Sequence, residues 1–150
     1  FYTLLIFATQ LQHYTNILQN IRITNYKGNL MAKILIVDDA SLIRSVARKA
    51  AAEAGHEVTV AEDGQKGLDA LAHTKFDLIF SDVNMPVMGG LEMVGKIKQM
   101  EEYKFTPIVM LTTESNPDLK AQGKELGVKA WLLKPFNKDK FLMALEKLLG

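Results

Sequence analysis

The chain has 150 residues, 48% of them apolar, and a mean hydropathy of +0.03, values that are ordinary for a single soluble globular domain. It contains no cysteine, which excludes disulfides, thiolate metal sites and thiol catalysis, so any chemistry must use oxygen and nitrogen groups. The formal net charge of +1 is far from the basic balance of a protein that binds nucleic acid by neutralising phosphates, and we expect no nucleic-acid partner.

The first thirty residues differ in composition from the rest of the chain. They are rich in amide side chains, and their few charged residues are all basic. The strongly patterned segment MAKILIVDDAS follows, and its Met31 resembles a natural start. We therefore predict a domain at 31–150 and interpret residues 1–30 as a poorly packed extension, either upstream translated sequence or the remnant of a longer protein. The alternative is a helix in this segment, because several of its apolar residues are near helical spacing.

The apolar runs of the chain are short. None approaches the roughly 18 to 20 residues that a membrane-spanning helix needs, and no basic region followed by a cleavage site precedes Met31. We therefore expect a cytoplasmic protein with no membrane partner.

Five of these short runs, from Lys33 onward, predict strands. The apolar residues within each run are consecutive and do not alternate with polar residues, which is typical of strands covered on both faces, as in a parallel sheet flanked by helices. The predicted strands are 34–37, 58–60, 78–80, 108–111 and 130–133.

Segments of helical period separate these runs and follow the last one. In the first segment, six residues lie on one helical face before a glycine ends the pattern: Leu42, Ile43, Val46, Ala47, Ala50 and Ala54, then Gly55. Four more helices are predicted around 67–71, 91–98, 119–126 and 141–149, and Pro117 after Asn116 suits the first turn of the fourth helix. This strict alternation predicts a three-layer α/β/α sandwich with a five-stranded parallel sheet and right-handed crossovers. Such sheets bind ligands outside the carboxyl ends of their strands, so functional residues should follow strands.

Three carboxylates are predicted to meet at that edge of the sheet. Asp38 and Asp39 close the first strand, and Asp82 closes the third. Like charges within a few ångströms disfavour joint ionisation, so either one carboxyl is protonated or a metal neutralises the group. Mg²⁺ is the expected partner, because it takes carboxylate, phosphate and water oxygens.

Thr112 after the fourth strand and Lys134 after the fifth are predicted at the same edge. Phosphoryl transfer requires an in-line nucleophile and positive or hydrogen-bonding groups on the equatorial oxygens, and these two residues supply a hydroxyl and a cation. An aspartate can act as the nucleophile and form an acyl phosphate.

The motifs around these residues resemble the receiver domains of two-component systems, and within them the single-domain chemotaxis regulators typified by CheY. The resemblance spans 33–149, and in this order its markers are highly specific: the Asp38-Asp39 pair, SDVNMP at 81–86 followed by Gly89-Gly90, Leu111-Thr112, and WLLKPF at 131–136. It implies a flavodoxin-like fold with strand order 2-1-3-4-5.

The resemblance also implies a role for each acidic residue. Asp82 would be the phosphoacceptor. The Asp39 and Asp82 side chains and the Asn84 backbone carbonyl would bind Mg²⁺, and Asp38 would place a metal-bound water.

Three further roles follow from the resemblance. Thr112 and Lys134 would hold the phosphoryl oxygens, and the Lys134–Pro135 peptide bond would be cis. Thr112 and the aromatic Trp131 would rearrange together as the switch. Two departures from the family pattern stand out, because Trp131 is bulkier than the usual Tyr or Phe and Thr113 replaces a small Ala or Gly.

The resemblance implies protein partners. A CheA-like histidine kinase, or a small donor such as acetyl phosphate, would supply the phosphoryl group. Helix 4, strand 5 and helix 5, which carry several lysines, would bind the flagellar motor switch or another protein target. The protein would assist its own phosphorylation and dephosphorylation without being a turnover enzyme.

Three alternatives belong to other classes. An Asp- and Mg²⁺-dependent phosphatase of the haloacid dehalogenase type should have a D-x-D arrangement, whereas Asp38 and Asp39 are adjacent. A flavodoxin-like FMN carrier should have a phosphate loop rich in Ser, Thr and Gly. The third alternative is a receiver fragment of a larger regulator that binds DNA through another domain.

Overall fold

The computed structural model describes residues 31–113 and 115–149. Within them, five parallel strands form one sheet in the order β2-β1-β3-β4-β5. The strands are β1 (Lys33–Val37), β2 (Glu57–Ala61), β3 (Leu78–Asp82), β4 (Ile108–Thr112) and β5 (Ala130–Leu133). The predicted sheet and its strand order are confirmed, and four of the five strands extend one or two residues beyond the predicted apolar runs.

Five helices alternate with the strands, and a short 3-10 helix (Glu101–Tyr103) precedes β4. The helices are α1 (Ser41–Glu53), α2 (Gly64–Leu71), α3 (Gly90–Lys98), α4 (Pro117–Glu125) and α5 (Lys138–Leu149). Pro117 is the first residue of α4, and the Asn116 side chain caps this helix by accepting from the Asp118 backbone N–H at 2.9 Å. This start of α4 confirms the prediction from the Asn-Pro pair.

Each face of the sheet packs on its own apolar cluster, which explains why the strand sequences are apolar at consecutive positions. Successive side chains of a strand point to opposite faces. Ile34 and Ile36 belong to the cluster under α1 and α5, whereas Leu35 and Val37 belong to the cluster under α2 and α3. The sheet is therefore the middle of three layers.

The cluster under α1 and α5 contains a row of aromatic rings. The ring of Phe141 lies 4.8 Å from that of Phe80 and 5.6 Å from that of Phe136, measured between centroids. Phe80 and Phe141 are fully buried, and each side chain of this size contributes about 1.5 to 3 kcal/mol through its burial. Leu42, in the first turn of α1, belongs to the predicted apolar face of this helix but is 72% exposed.

Two side chains hold loops at the amino-terminal edge of the sheet. The His56 Nδ1 accepts from the Ala32 N–H at 3.1 Å, and burial lowers the pKa of this imidazole. The Tyr103 hydroxyl donates to the Thr74 carbonyl at 3.0 Å and accepts from the Phe76 N–H at 3.2 Å. Both residues support backbone groups that the strands themselves leave unpaired.

None of the helices in the described ranges has the length and apolar content needed to cross a bilayer. The predictions on residues 1–30 lie outside the described residues.

Candidate functional site

The carboxyl edge of the sheet gathers the predicted acids and the predicted lysine. Asp82 is the last residue of β3, while Asp38 and Lys134 come directly after β1 and β5. One carboxylate oxygen from each of Asp38, Asp39 and Asp82 lies within 4.8 Å of the others. Residues up to 96 positions apart therefore form one site, because parallel strands place their carboxyl ends side by side.

The two neighbouring aspartates have different environments. Asp38 is fully buried, and its Oδ1 accepts from the Ala40 N–H at 2.8 Å while its Oδ2 accepts from Lys134 Nζ at 3.1 Å. Asp39 is exposed. Only Asp39 of this pair therefore faces solvent with its carboxylate.

Asp82 is buried beside both a donor and an acid. Its Oδ1 accepts from the Val83 N–H at 2.8 Å and lies 3.1 Å from Lys134 Nζ. Burial raises the pKa of Asp82, and the Asp38 charge raises it further, against the opposing effect of Lys134. The environment thus penalises a third negative charge, as the sequence predicted for three acids at one edge.

Lys134 is the cation of the site and contacts two of its acids. Burial acts to lower its pKa, but hydrogen bonds to Asp38 and Asp82 outweigh this effect and raise the pKa above its ordinary value. The peptide bond between Lys134 and Pro135 is cis. A lysine with this pKa is charged at any physiological pH.

The donor set fits a hard divalent cation. The ammonium of Lys134 can balance only one of the three carboxylate charges, and the carboxylates are the oxygen ligands that Mg²⁺ prefers. Both oxygens of Asp38 already accept hydrogen bonds, so Asp39 and Asp82 have the more available oxygens. Asn84 is exposed in the loop after β3, two residues beyond Asp82.

Thr112 and Trp131, the predicted switch pair, lie on the neighbouring strands β4 and β5. Thr112 is buried at the end of β4. Trp131 is half-buried, pairs in register with Met110, and packs against the cluster under α2 and α3. Thr113, the second departure from the family pattern, is exposed.

Sequence reasoning missed a residue that accommodates the large indole. Gly123 of α4 is buried against Trp131, and a Cβ at this position would lie 2.6 Å from Trp131 Cζ2. Val128 would also be close, with Cγ2 at 3.4 Å. A glycine inside a helical pattern was the available signal, since it costs about 1 kcal/mol relative to Ala and needs a packing reason.

Close packing also explains why position 90 is a glycine. Its N–H donates to the Val83 carbonyl at 2.8 Å, and a Cβ would lie 1.9 Å from the Asp82 carbonyl oxygen. In the sequence, Gly89-Gly90 is one marker of the family resemblance, and the structure shows that α3 begins in contact with the backbone of Asp82.

A parallel α/β/α sandwich with an acidic cluster and a lysine at its carboxyl edge defines a receiver domain. The chain belongs to the response regulator receiver domain family, whose family model matches residues 34–146. The protein is thus a phosphoacceptor response regulator of a two-component phosphorelay, a signalling switch that interacts with a histidine kinase and downstream targets.

More particular likenesses point to chemotaxis regulators. The chain is 36% identical to the chemotaxis protein CheY1 of Helicobacter pylori over 122 residues, which are 79% of this chain and 97% of that protein. It is 33% identical to protein PilG of Pseudomonas aeruginosa over 114 residues, 76% of this chain and 84% of that protein. The structure of chemotaxis response regulator CheY4 of Vibrio cholerae matches with a TM-score of 0.76 and 47% identity, over 79% of this chain and 99% of that one. These findings do not favour the alternative functions.

Proposed function

We propose that Asp82 accepts the phosphoryl group, from the phosphohistidine of a CheA-like kinase or from a small donor such as acetyl phosphate. The observation that carries the proposal is the double contact of Asp82 Oδ1 with the Val83 N–H and Lys134 Nζ. These donors fix one oxygen, and the other is assigned as the nucleophile. Its attack forms an O–P bond and breaks the donor's P–N or P–O bond, releasing imidazole or acetate and leaving an acyl phosphate on Asp82.

The remaining residues of the site hold the transferred group. Lys134 stabilises charge on the phosphoryl oxygens, and the Thr112 hydroxyl donates a hydrogen bond to them. Asp39, Asp82 and the Asn84 carbonyl would hold Mg²⁺, which would supply further positive charge at these oxygens. Placed in this way, the residues assist both the phosphorylation and the later hydrolysis of the domain itself, without turnover of a separate substrate.

The output of the proposed switch is protein binding at the face made by α4, β5 and α5. Rearrangement of Thr112 and Trp131 would change this face after phosphorylation, which shifts the population towards the conformation that the target binds. The face carries exposed apolar side chains, Leu133 and Met143, in addition to its exposed lysines: Lys120, Lys124, Lys129, Lys138 and Lys140. A flagellar motor switch or another protein target is proposed, with no nucleic-acid or membrane partner.

We propose that 31–150 is the functional receiver and that 1–30 is an extension of upstream translated sequence. The family match begins at residue 34, which supports this division. We also propose a cytoplasmic location, because the proposed kinase partner takes its phosphoryl group from ATP. Amino-terminal sequencing of the native protein tests the extension, because a mature chain that retained Phe1 would contradict upstream translation.

Labelling with radioactive acetyl phosphate and Mg²⁺ tests the acceptor. The wild type should take up one phosphoryl group per chain, and Asp82→Asn should take up none. Asp69→Asn is the matched control, because it removes an exposed carboxylate from α2 and should label like the wild type. Stoichiometric labelling of Asp82→Asn would contradict the assignment. Trp131 emission, recorded with beryllofluoride and Mg²⁺, should change in the wild type and in Asp69→Asn but not in Asp82→Asn.

A further inference from the structure

An arginine outside the acidic cluster bonds to the backbone of one of its acids. Arg44 lies in the first turn of α1 and is half-buried, and its Nη1 donates to the Asp38 carbonyl oxygen at 2.7 Å. The same residue closes the start of the helix, since its N–H donates to the Ala40 carbonyl at 3.2 Å. Arg44 therefore connects the start of α1 to the end of β1.

This bond completes the set of contacts that hold Asp38. The Asp38 N–H donates to the Ala61 carbonyl at 3.1 Å, its two carboxylate oxygens accept from Ala40 and Lys134, and its carbonyl accepts from Arg44. Of these four contacts, the bond from Arg44 alone acts on the peptide group that joins Asp38 to Asp39. A peptide unit is planar, so the direction of the Asp38 carbonyl also fixes the direction of the Asp39 N–H.

One other contact spans the Asp38–Asp39 peptide, the turn in which Asp38 Oδ1 accepts from the Ala40 N–H at 2.8 Å. The first cap position of α1 is Ala40, which has no side chain that could accept from the helix N–H groups. The exposed Asp39 lies between the fixed Asp38 and this uncapped helix start. Without the bond from Arg44, the turn from Asp38 to Ala40 alone would hold the Asp38–Asp39 peptide, and a change in the direction of the Asp38 carbonyl would move the Asp39 carboxylate with it.

We propose that Arg44 is a positioning residue for the acidic site, which orients Asp39 towards the bound divalent cation by fixing the Asp38–Asp39 peptide group. This inference rests on the proposed function of the site. It assigns a part in Mg²⁺ affinity to a residue of α1 whose side chain bonds to the Asp38 carbonyl and not to a carboxylate oxygen of that residue.

The sign of the effect separates positioning from simple electrostatics. The guanidinium brings positive charge to the site, so a purely electrostatic role predicts that its removal strengthens the binding of a cation. A positioning role predicts weaker binding, since loss of a residue that orients a metal ligand costs about tenfold or more in affinity. The two explanations therefore predict opposite changes.

Isothermal titration calorimetry with Mg²⁺ measures this change in Arg44→Met and in Arg48→Met. Arg48 lies one turn further along α1 and is exposed, so its variant removes the same charge from the same helix and should bind Mg²⁺ within twofold of the wild type. Arg44→Met should raise the dissociation constant roughly tenfold. In the metal-free protein, the backbone amide resonances of Asp39 and Ala40 should shift in Arg44→Met and remain in place in Arg48→Met.

Equal or tighter Mg²⁺ binding by Arg44→Met would overturn the proposal. If this variant does not fold, Arg44→Lys decides instead, because it keeps the charge but displaces the donor: affinity about threefold weaker supports positioning, and wild-type affinity overturns it. Labelling by acetyl phosphate at saturating Mg²⁺ keeps the two proposals apart. A wild type that does not label refutes the function of Asp82, whereas a wild type that labels beside an Arg44→Met variant of normal Mg²⁺ affinity refutes only the role of Arg44.

Discussion

Gly123→Ala tests the packing of the switch aromatic on α4. Alanine is favoured over glycine in a helix by about 1 kcal/mol, so the exchange alone should stabilise the domain. At Gly123, however, the new Cβ would lie 2.6 Å from Trp131 Cζ2, and forcing a methyl group into a filled site costs about 1 to 3 kcal/mol. The net expectation is a loss of about 1 kcal/mol in the free energy of unfolding. The displaced indole should also become more exposed.

Gly95→Ala is the matched control within the same fold. Gly95 lies inside α3, and the nearest atom to its added Cβ is Leu126 Cδ2 at an ordinary contact distance of 3.6 Å. This variant should gain about 0.5 to 1 kcal/mol, so the same chemical change should act with opposite sign at the two sites.

Urea unfolding followed by far-ultraviolet circular dichroism measures both variants. The midpoint of Gly123→Ala should fall by roughly 0.5 M, given a slope of about 1 to 3 kcal/mol per molar. Its Trp131 emission should shift to longer wavelength. In a Trp131→Leu background the clash is absent, and Gly123→Ala should then stabilise the domain. Equal shifts for Gly123→Ala and Gly95→Ala, in either direction, would refute the reasoning.

Three further predictions concern pH, phosphorylation and the loops. Burial lowers the pKa of His56 in the folded protein, so the unfolded chain binds more protons as the pH falls. The contribution of His56 to the free energy of unfolding is therefore complete above about pH 6.5 and is lost as the pH falls below it. His56→Asn keeps an acceptor for the Ala32 N–H but does not titrate, so urea titrations between pH 7 and 5 should show a flatter decline; an unchanged slope would exclude His56 as the cause. Thr113→Ala should alter the rates at which Asp82 is phosphorylated by acetyl phosphate and dephosphorylated, because the β-branched Thr113 narrows the approach to Asp82. Unchanged rates would refute this prediction. Tyr103→Phe removes a hydroxyl with two backbone hydrogen bonds and should lower the free energy of unfolding, measured in urea, by about 1 to 3 kcal/mol. An unchanged free energy of unfolding would mean that water replaces the hydroxyl as the partner of both backbone groups.

Most of the fold could be predicted because its pattern is dominated by one physical rule. A parallel strand that is covered on both faces must be apolar at consecutive positions, as Ile34 to Val37 are, and the intervening helices then define the layers. Strand ends were less predictable, since Asp82 and Thr112 are polar and still belong to β3 and β4. The exposure of Leu42 could not be predicted, because helical spacing alone does not show where the buried part of an apolar face ends.

The composition of the site could also be predicted, but not its contacts. Topology brings strand ends together, so the meeting of Asp38, Asp82 and Lys134 follows from their positions in sequence. That Asp38 is buried while Asp39 is exposed depends on the backbone direction after β1, which no local pattern encodes. The bond of Arg44 to a main-chain carbonyl leaves no signature in the sequence, because any arginine on a helix resembles a solvated one.

The pairing of Lys134 with two acids has a consequence for how the domain meets its signal. A counterion that is part of the chain cannot diffuse away, whatever the supply of divalent ions in the cell. Lys134 therefore pairs with Asp38 and Asp82 whether or not a divalent ion is bound. When a phosphorylated kinase binds, Asp38, Asp82 and Lys134 are already in contact. Little ordering of the acceptor site then remains for the phosphoryl transfer itself.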